Sequence, residues 1–273
     1  MGITDSEING LIAAVRSAAQ AEIMPRFRRL SRDDIATKSD ASDLVTVADH
    51  ASEEAITKAA HSLMPDALVV GEEAVAADPD LLGQLSGAKR AVIVDPIDGT
   101  WNFASGIAAF GVILAVIAEG RTVFGLLYDP VLDDWIAAER GRGTWFHRPG
   151  AAPLRLDGPP ERSKKEMHAF VPLGLYPDAE QSHIASQLPH YGRATSIRCS
   201  CHEYRTVAFG HADVVVSPAP MPWDHAAGVL AVEECGGAAW VPDGEGYDPA
   251  TLPQHLAVMG RRGSSFDPKT DLR

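Results

Sequence analysis

The chain has 273 residues, 45% hydrophobic and 22% charged, enough apolar material for one large domain or two subdomains sharing a core. Its net charge of −13, from 24 basic against 37 acidic side chains, argues against binding a nucleic-acid backbone. A phosphorylated small molecule remains admissible if metal cations stand between it and the protein.

Apolar residues recur at Ile8, Leu11, Ile12, Val15, Ala18, Ala19 and Ile23, which predicts an amphipathic helix from Asp5 towards Leu30, ended or kinked at Pro25. The polar stretch from Ser31 to Asp43 reads as loop. A second helix is predicted from Thr46 to Leu63, with Ala51, Ala55, Ile56, Ala59 and Leu63 inward and Pro65 closing it. Short apolar runs follow, at Ala67 to Val70, Ala91 to Val94, Phe110 to Ala118, Thr122 to Tyr128 and Trp135 to Ala138, and each reads as a strand. Glu119-Gly120-Arg121 reads as a hairpin turn, so part of the sheet is antiparallel. Pro149 to Lys165, rich in Pro, Gly and charge, suggests a boundary between residues 1–148 and 149–273. Beyond it come helices near Asp178 to Gln187 and Cys201 to Gly210, a strand at Asp213 to Val216, and a helix from Asp224 to Glu234 stopped by Gly236-Gly237.

The longest apolar run, Phe110 to Ala118, is too short to span a membrane, and the N-terminus has neither the basic nor the apolar region of a secretory signal. Gly2 and Ser6 fit a loose myristoylation pattern that is too degenerate to carry weight. Cys199, Cys201 and Cys235 are odd in number and lack metal-finger spacing, so they read as reduced thiols in a cytoplasmic protein.

Three apolar runs lead into acids. Ala67 to Val70 ends in Gly71-Glu72-Glu73, Ala91 to Val94 ends in Asp95-Pro96-Ile97-Asp98-Gly99-Thr100, and Asp213 to Val216 leads through a Pro-rich turn to Trp223-Asp224. Ligands gather at strand ends in α/β sheets. Carboxylates brought together there repel unless a cation sits among them, and hard oxygen ligands with open positions suit Mg²⁺. Gly99 permits a tight turn whose N–H groups face a phosphate oxygen, and Thr100 adds a hydroxyl. Each acid alone has a plain structural reading: Asp-Pro and Asp-Gly are turn dipeptides, Asp224 is a helix cap, and Thr46-x-x-Asp49 is a capping box.

The set resembles the inositol monophosphatase family of lithium-sensitive, magnesium-dependent phosphatases. The matching pieces are Asp43-Leu44-Val45-Thr46 with Asp49; Gly71-Glu72-Glu73; Asp95 to Thr100 followed by Asn102-Phe103; and Trp223-Asp224-His225-Ala226-Ala227-Gly228 followed by Glu234, Gly236 and Gly237. The resemblance implies a layered αβαβα fold. It also implies one Mg²⁺ on Glu72, Asp95 and the Ile97 carbonyl, a second on Asp95, Asp98 and Asp224, and a weaker third near Glu72. Thr100, oriented by Asp49 and assisted by Glu72, would activate water, and Gly99 and Thr100 N–H groups would hold the phosphate. Lys38 falls where the family often has a loop lysine, and it also reads as a solvated surface residue. A homodimer is expected on the same ground.

The substrate side departs from the family. Ser217 stands where a glutamate usually binds substrate hydroxyls, and Ile197-Arg198-Cys199-Ser200-Cys201-His202-Glu203 replaces a wall of small residues. Arg198 either reads a second anionic group of the substrate or pairs with Glu203 or another acid. Trp101 is expected to pack at the site mouth, and His202 and His225 to be structural. The resulting expectation is Mg²⁺-dependent hydrolysis of a small phosphate monoester, inositol monophosphate first. A sugar bisphosphate such as fructose 1,6-bisphosphate, histidinol phosphate and a phosphoadenosine nucleotide are the alternatives within the chemistry. A non-catalytic homologue is the alternative outside it.

Overall fold

The computed structural model describes residues 2–38, 44–242 and 244–262. Asp43, one of the residues in the family resemblance, lies outside them.

Helix α1 (Asp5–Ala18) opens with a capping box in which Thr4 and Glu7 satisfy each other's backbone N–H groups. It stops short of Leu30: a π turn, Ala19–Ile23, follows, and Pro25 has no N–H with which to continue the ladder. A small hairpin of β1 (Ile35–Thr37) and β2 (Leu44–Thr46) delivers the chain to α2 (Val47–Leu63). Next come β3 (Leu68–Gly71), α3 (Glu72–Ala77), α4 (Asp80–Gly83), β4 (Arg90–Asp98) and α5 (Thr100–Ala104). A meander follows: β5 (Gly111–Ala118), β6 (Arg121–Asp129), β7 (Asp134–Glu139), β8 (Gly143–His147) and β9 (Leu154–Leu156). Strands β3 to β9 form one sheet in chain order, parallel only at β3–β4. The boundary read from the sequence at residues 148–149 falls before β9, which pairs with β8.

The rest comprises β10 (His168–Phe170), α6 (Asp178–Gln187), β11 (Arg193–Thr195), α7 (Ser200–Ala208), β12 (Val214–Ser217), α8 (Pro222–Glu234), β13 (Ala238–Val241), β14 (Gly244–Glu245) and β15 (Leu256–Met259). Its strands make a second sheet in the order β11-β10-β12-β15-β13-β14.

The period-two alternation of strand side chains explains the layering. Along β4, Val92 and Val94 face the α1 and α2 helices, while Ala91 and Ile93 face α7 and α8. Along β5, Val112, Leu114 and Val116 join the first cluster and Ile113, Ala115 and Ile117 the second. Both faces are covered, so β5 is buried throughout. The second sheet repeats the pattern: Phe170, Val215 and Val258 meet α8, and Ala169, Val214 and Val216 pack with Ile184 of α6. Helix, sheet, helix, sheet and helix thus stack in five layers, and α8 lies buried between the two sheets.

Candidate active site

Strand β4 carries the acids through a bulge. Strict alternation would send Asp95 and Asp98 to opposite faces, three residues apart as they are. Asp95 pairs with Ile113 and Asp98 with Gly111, so β4 spends one residue more than β5 over the same span. Pro96, which has no ladder N–H to give, sits at that irregularity. Asp95, Asp98 and Asp224 consequently present oxygens that all lie within 4.8 Å of one another. Asp224 arrives from the first turn of α8, which begins at Pro222 rather than at Asp224 itself.

Burial, followed by the charges of Glu72, Asp98 and Asp224, holds the Asp95 carboxyl well above its usual range. Asp224 is raised likewise, by burial first and then by Asp98 and Glu72. Asp98 is pushed up to about 6 by burial, against the pull of the Cys201 N–H and the Cys199 thiol. Both groups donate to Asp98 Oδ2, the Cys201 N–H from the first turn of α7 and the thiol at 3.1 Å. Asp98 therefore occupies a helix N-terminus, a place that favours an anion.

Glu72 begins α3 at the end of β3. The short helix is capped from outside: Glu53 of α2 accepts from the N–H groups of Glu73 and Ala74, both at 2.8 Å. Gly71 allows this approach, since a Cβ there would lie 2.2 Å from the Glu53 carboxyl carbon. Glu53 and its cap escape sequence reading because a six-residue helix has no periodicity to detect. Lys38 reaches Glu72 Oε1 at 2.7 Å and Glu73 Oε1 at 2.6 Å. Burial lowers the Lys38 ammonium, but Glu72 and Glu73 outweigh it and hold the group above its ordinary value.

Asp49 serves two purposes at once. Its Oδ2 accepts from the Thr46 N–H at 2.9 Å and the Thr46 hydroxyl at 2.6 Å, which is the capping box of α2. Its Oδ1 lies 3.2 Å from the Thr100 hydroxyl, which is also 2.9 Å from the Ile97 carbonyl. Burial pushes Asp49 up to about 7. Gly99, between Asp98 and Thr100, has φ +85°, and a Cβ there would crowd the Ala109 carbonyl oxygen at 3.0 Å.

A cavity of about 540 Å³ lies at this site. Glu72, Asp98, Gly99, Thr100 and Asp224 form its floor, and Ser196, Arg198, Ser200, Glu203, Ser217 and His225 belong to its wall. Arg198 takes the left-handed conformation at φ +55° and stacks its guanidinium 4.3 Å from the Trp101 ring centroid. Glu203 accepts from the Ile197 N–H at 3.0 Å and sits 3.4 Å from the Ser196 hydroxyl; burial pushes it up to about 8. The Ser217 hydroxyl, at the end of β12, accepts from the Ala219 N–H at 3.4 Å. His202 contacts the Phe110 carbonyl at 3.0 Å, and His225 the Tyr204 hydroxyl at 2.8 Å.

The donor set fits a hard divalent cation. It consists of carboxylates gathered on one spot, raised by burial first and by one another's charge second, with no histidine or thiolate among them.

A profile of the inositol monophosphatase family matches residues 5–267. The chain belongs to this family. It is a phosphoric monoester hydrolase by that membership. Histidinol-phosphatase of Chlorobaculum parvum is 32% identical over 209 residues, 74% of this chain and 76% of the relative. Inositol-1-monophosphatase of Bacillus subtilis is 30% identical over 226 residues, covering 83% and 82%. Nus factor SuhB of Pasteurella multocida is 30% identical over 268 residues, covering 93% and 91%. Among solved structures, a Thermotoga maritima IMPase superposes with a TM-score of 0.75 at 24% identity, over 93% of this chain and 91% of that one. Staphylococcal IMPase-II with inositol monophosphate bound gives 0.75 at 21% identity, over 97% and 92%. The five layers are the fold of this family of phosphatases.

Proposed function

We propose that the chain hydrolyses a small phosphate monoester to an alcohol and inorganic phosphate in a Mg²⁺-dependent reaction, with inositol monophosphate as the first substrate to test. The observation that carries this reading is the convergence of Asp95, Asp98 and Asp224 at one point, with Thr100 on the cavity floor and its hydroxyl 3.2 Å from the buried Asp49. Glu72, Asp95 and the Ile97 carbonyl would hold one ion; Asp95, Asp98 and Asp224 would hold a second, and a third would sit near Glu72. Bound there, Mg²⁺ supplies the charge that neutralises the phosphate and makes the attacking water more acidic.

The chain's own groups do the rest. Thr100 donates to Asp49 and thereby turns an oxygen lone pair towards the attacking water. Asp49, at about 7, is matched to accept a proton near neutral pH, and Glu72 assists from the other side. Backbone N–H groups of Gly99 and Thr100 orient the phosphate. Arg198, Ser200 and Ser217 line the side that receives the leaving alcohol.

The relatives include a histidinol-phosphatase and a fructose-1,6-bisphosphatase/inositol-1-monophosphatase, so histidinol phosphate and fructose 1,6-bisphosphate are the second substrates to try. A phosphoadenosine nucleotide is a third, and a non-catalytic role would require no turnover on any of them. Three buried free cysteines fit a reducing cytoplasm, and a homodimer completes the reading. Phosphate release over this panel, with Mg²⁺ and with EDTA, decides the matter. Mg²⁺-dependent release on at least one member is expected, and no release on any member overturns the proposal.

A further inference from the structure

Tyr204 and His225 form a buried pair beside the cavity that the hydrolytic chemistry does not use. Tyr204 lies on α7 and is 0% exposed; His225 follows Asp224 on α8 and is 4% exposed. The Tyr204 hydroxyl oxygen is 2.8 Å from His225 Nδ1, and the rings meet nearly edge to face. The backbone of α8 is laid directly on the tyrosine, because a Cβ on Gly228 would fall 2.1 Å from its ring. Neither ring has room to turn away.

The proton positions follow from elementary accounting. A buried phenol needs an acceptor for its hydrogen, and among the described residues His225 Nδ1 is the partner of the Tyr204 hydroxyl. The hydroxyl therefore donates and Nδ1 accepts. A neutral imidazole has one N–H, which this leaves on Nε2. With Nδ1 taken up by the phenol hydrogen, the ring is the neutral form and a donor through Nε2. Nε2 has no protein partner among the described residues, and His225 borders the cavity.

We propose that His225, held as the Nε2–H tautomer by Tyr204, is a specificity-determining hydrogen-bond donor to the leaving alcohol, selecting phosphate monoesters with an acceptor oxygen close to the ester carbon. This rests on the phosphatase reading and narrows its substrate class to polyol phosphates. Ser217 and Glu203 border the same cavity and offer partners to a hydroxyl that both donates and accepts. An aryl or alkyl leaving group leaves the His225 donor unpaired in a desolvated wall, and such a site discriminates strongly against a partner that lacks the matching oxygen. Tyr204 is a positioning residue: it acts through the imidazole and touches no substrate.

Two measurements on the full chain with Mg²⁺ test this. Long-range ¹H–¹⁵N correlation spectra of the histidine rings are expected to show His225 as the Nε2–H tautomer, and Tyr204→Phe, which keeps the ring, is expected to give a mixture. An Nδ1–H tautomer in the unaltered protein overturns the proposal. In kinetics, the kcat/KM ratio for inositol 1-phosphate over phenyl phosphate is expected to fall about tenfold in His225→Leu and by a smaller factor, mostly through KM, in Tyr204→Phe. An unchanged ratio in either folded variant also overturns it. Absence of Mg²⁺-dependent release from every substrate of the panel would instead sink the phosphatase reading, whereas release from histidinol phosphate with none from inositol 1-phosphate would overturn this selection of polyol phosphates alone.

Discussion

The floor and the wall of the cavity are built by different means. The floor acids stand at the ends of β3 and β4 and in the first turn of α8, elements whose other residues are buried in the cores between layers. Backbone and side-chain donors fix Asp98, through the Cys199 thiol and the Cys201 N–H, and Asp49 beside Thr100, through the Thr46 N–H and hydroxyl. The wall is assembled from the turn before α7 with the left-handed Arg198, from Ser200 and Glu203 of α7, from His225 of α8 and from Ser217 at the end of β12. Chemistry that depends on sub-ångström placement is thus assigned to strand ends and a helix start, and choice of substrate to side chains gathered from several separate elements.

Substitutions can break this division, and the floor should show the largest effects. Asp95→Asn or Asp224→Asn should cut Mg²⁺-dependent phosphate release below about one-hundredth, since even the groups that support metal ligands typically contribute ~10–100-fold. Far-ultraviolet circular dichroism should remain that of the unaltered chain; normal turnover in either variant would refute the metal assignment. Thr100→Val should lower kcat by about two orders of magnitude, whereas Thr100→Ser, which keeps the hydroxyl, should recover most of it. An equal loss in both would show that the hydroxyl is not used.

Lithium should inhibit turnover at raised Mg²⁺, and complete insensitivity would count against the paired-ion arrangement.

pH separates the regions in another way. Asp49 at about 7, Asp98 at about 6 and Glu203 at about 8 all have folded values above their ordinary ones. Such acids bind more protons in the folded state, so their contribution is complete below about pH 4 and is lost as pH rises towards 8. Without divalent cations, Tm should therefore fall between pH 5 and pH 8. Mg²⁺ added at pH 8 should raise it again through Asp98, while Glu203→Gln should flatten the part of the slope that Mg²⁺ leaves untouched. A Tm independent of pH over this range would contradict the burial of these acids.

The smallest effect expected is at the wall. Arg198→Ala should weaken a doubly anionic substrate several-fold more than a singly phosphorylated polyol. Equal effects would remove Arg198 from recognition and leave it to its stack on Trp101.

Much of the floor is legible in the sequence for a physical reason. Asp95 to Thr100 sits where an apolar run stops and two turn-forming dipeptides follow, so a strand end bearing acids is readable without coordinates. Long alternating runs such as Gly111–Ala118 are readable for the same reason, as their period is unbroken. The short strands His168–Phe170 and Leu256–Met259 are not, because so few residues establish no period, whereas the four-residue strands Leu68–Gly71 and Val214–Ser217 show as apolar runs that lead into acids or a Pro-rich turn. The double duty of Asp49 is half legible: its capping box is local, but Thr100 lies 51 residues away. Tyr204 and His225, 21 residues apart on separate helices, leave no pattern at all.

One consequence of burying α8 between the two sheets concerns time rather than geometry. Asp224 enters from a helix that leaves the ribosome long after Asp95 and Asp98 have emerged, and its seat needs strands from both sheets. Until the last third of the chain is made, the earlier acids face one another without their third member. A nascent or truncated chain ending before Pro222 should accordingly be inert. The cell then meets this enzyme as a hydrolase only once the whole stack of layers has closed.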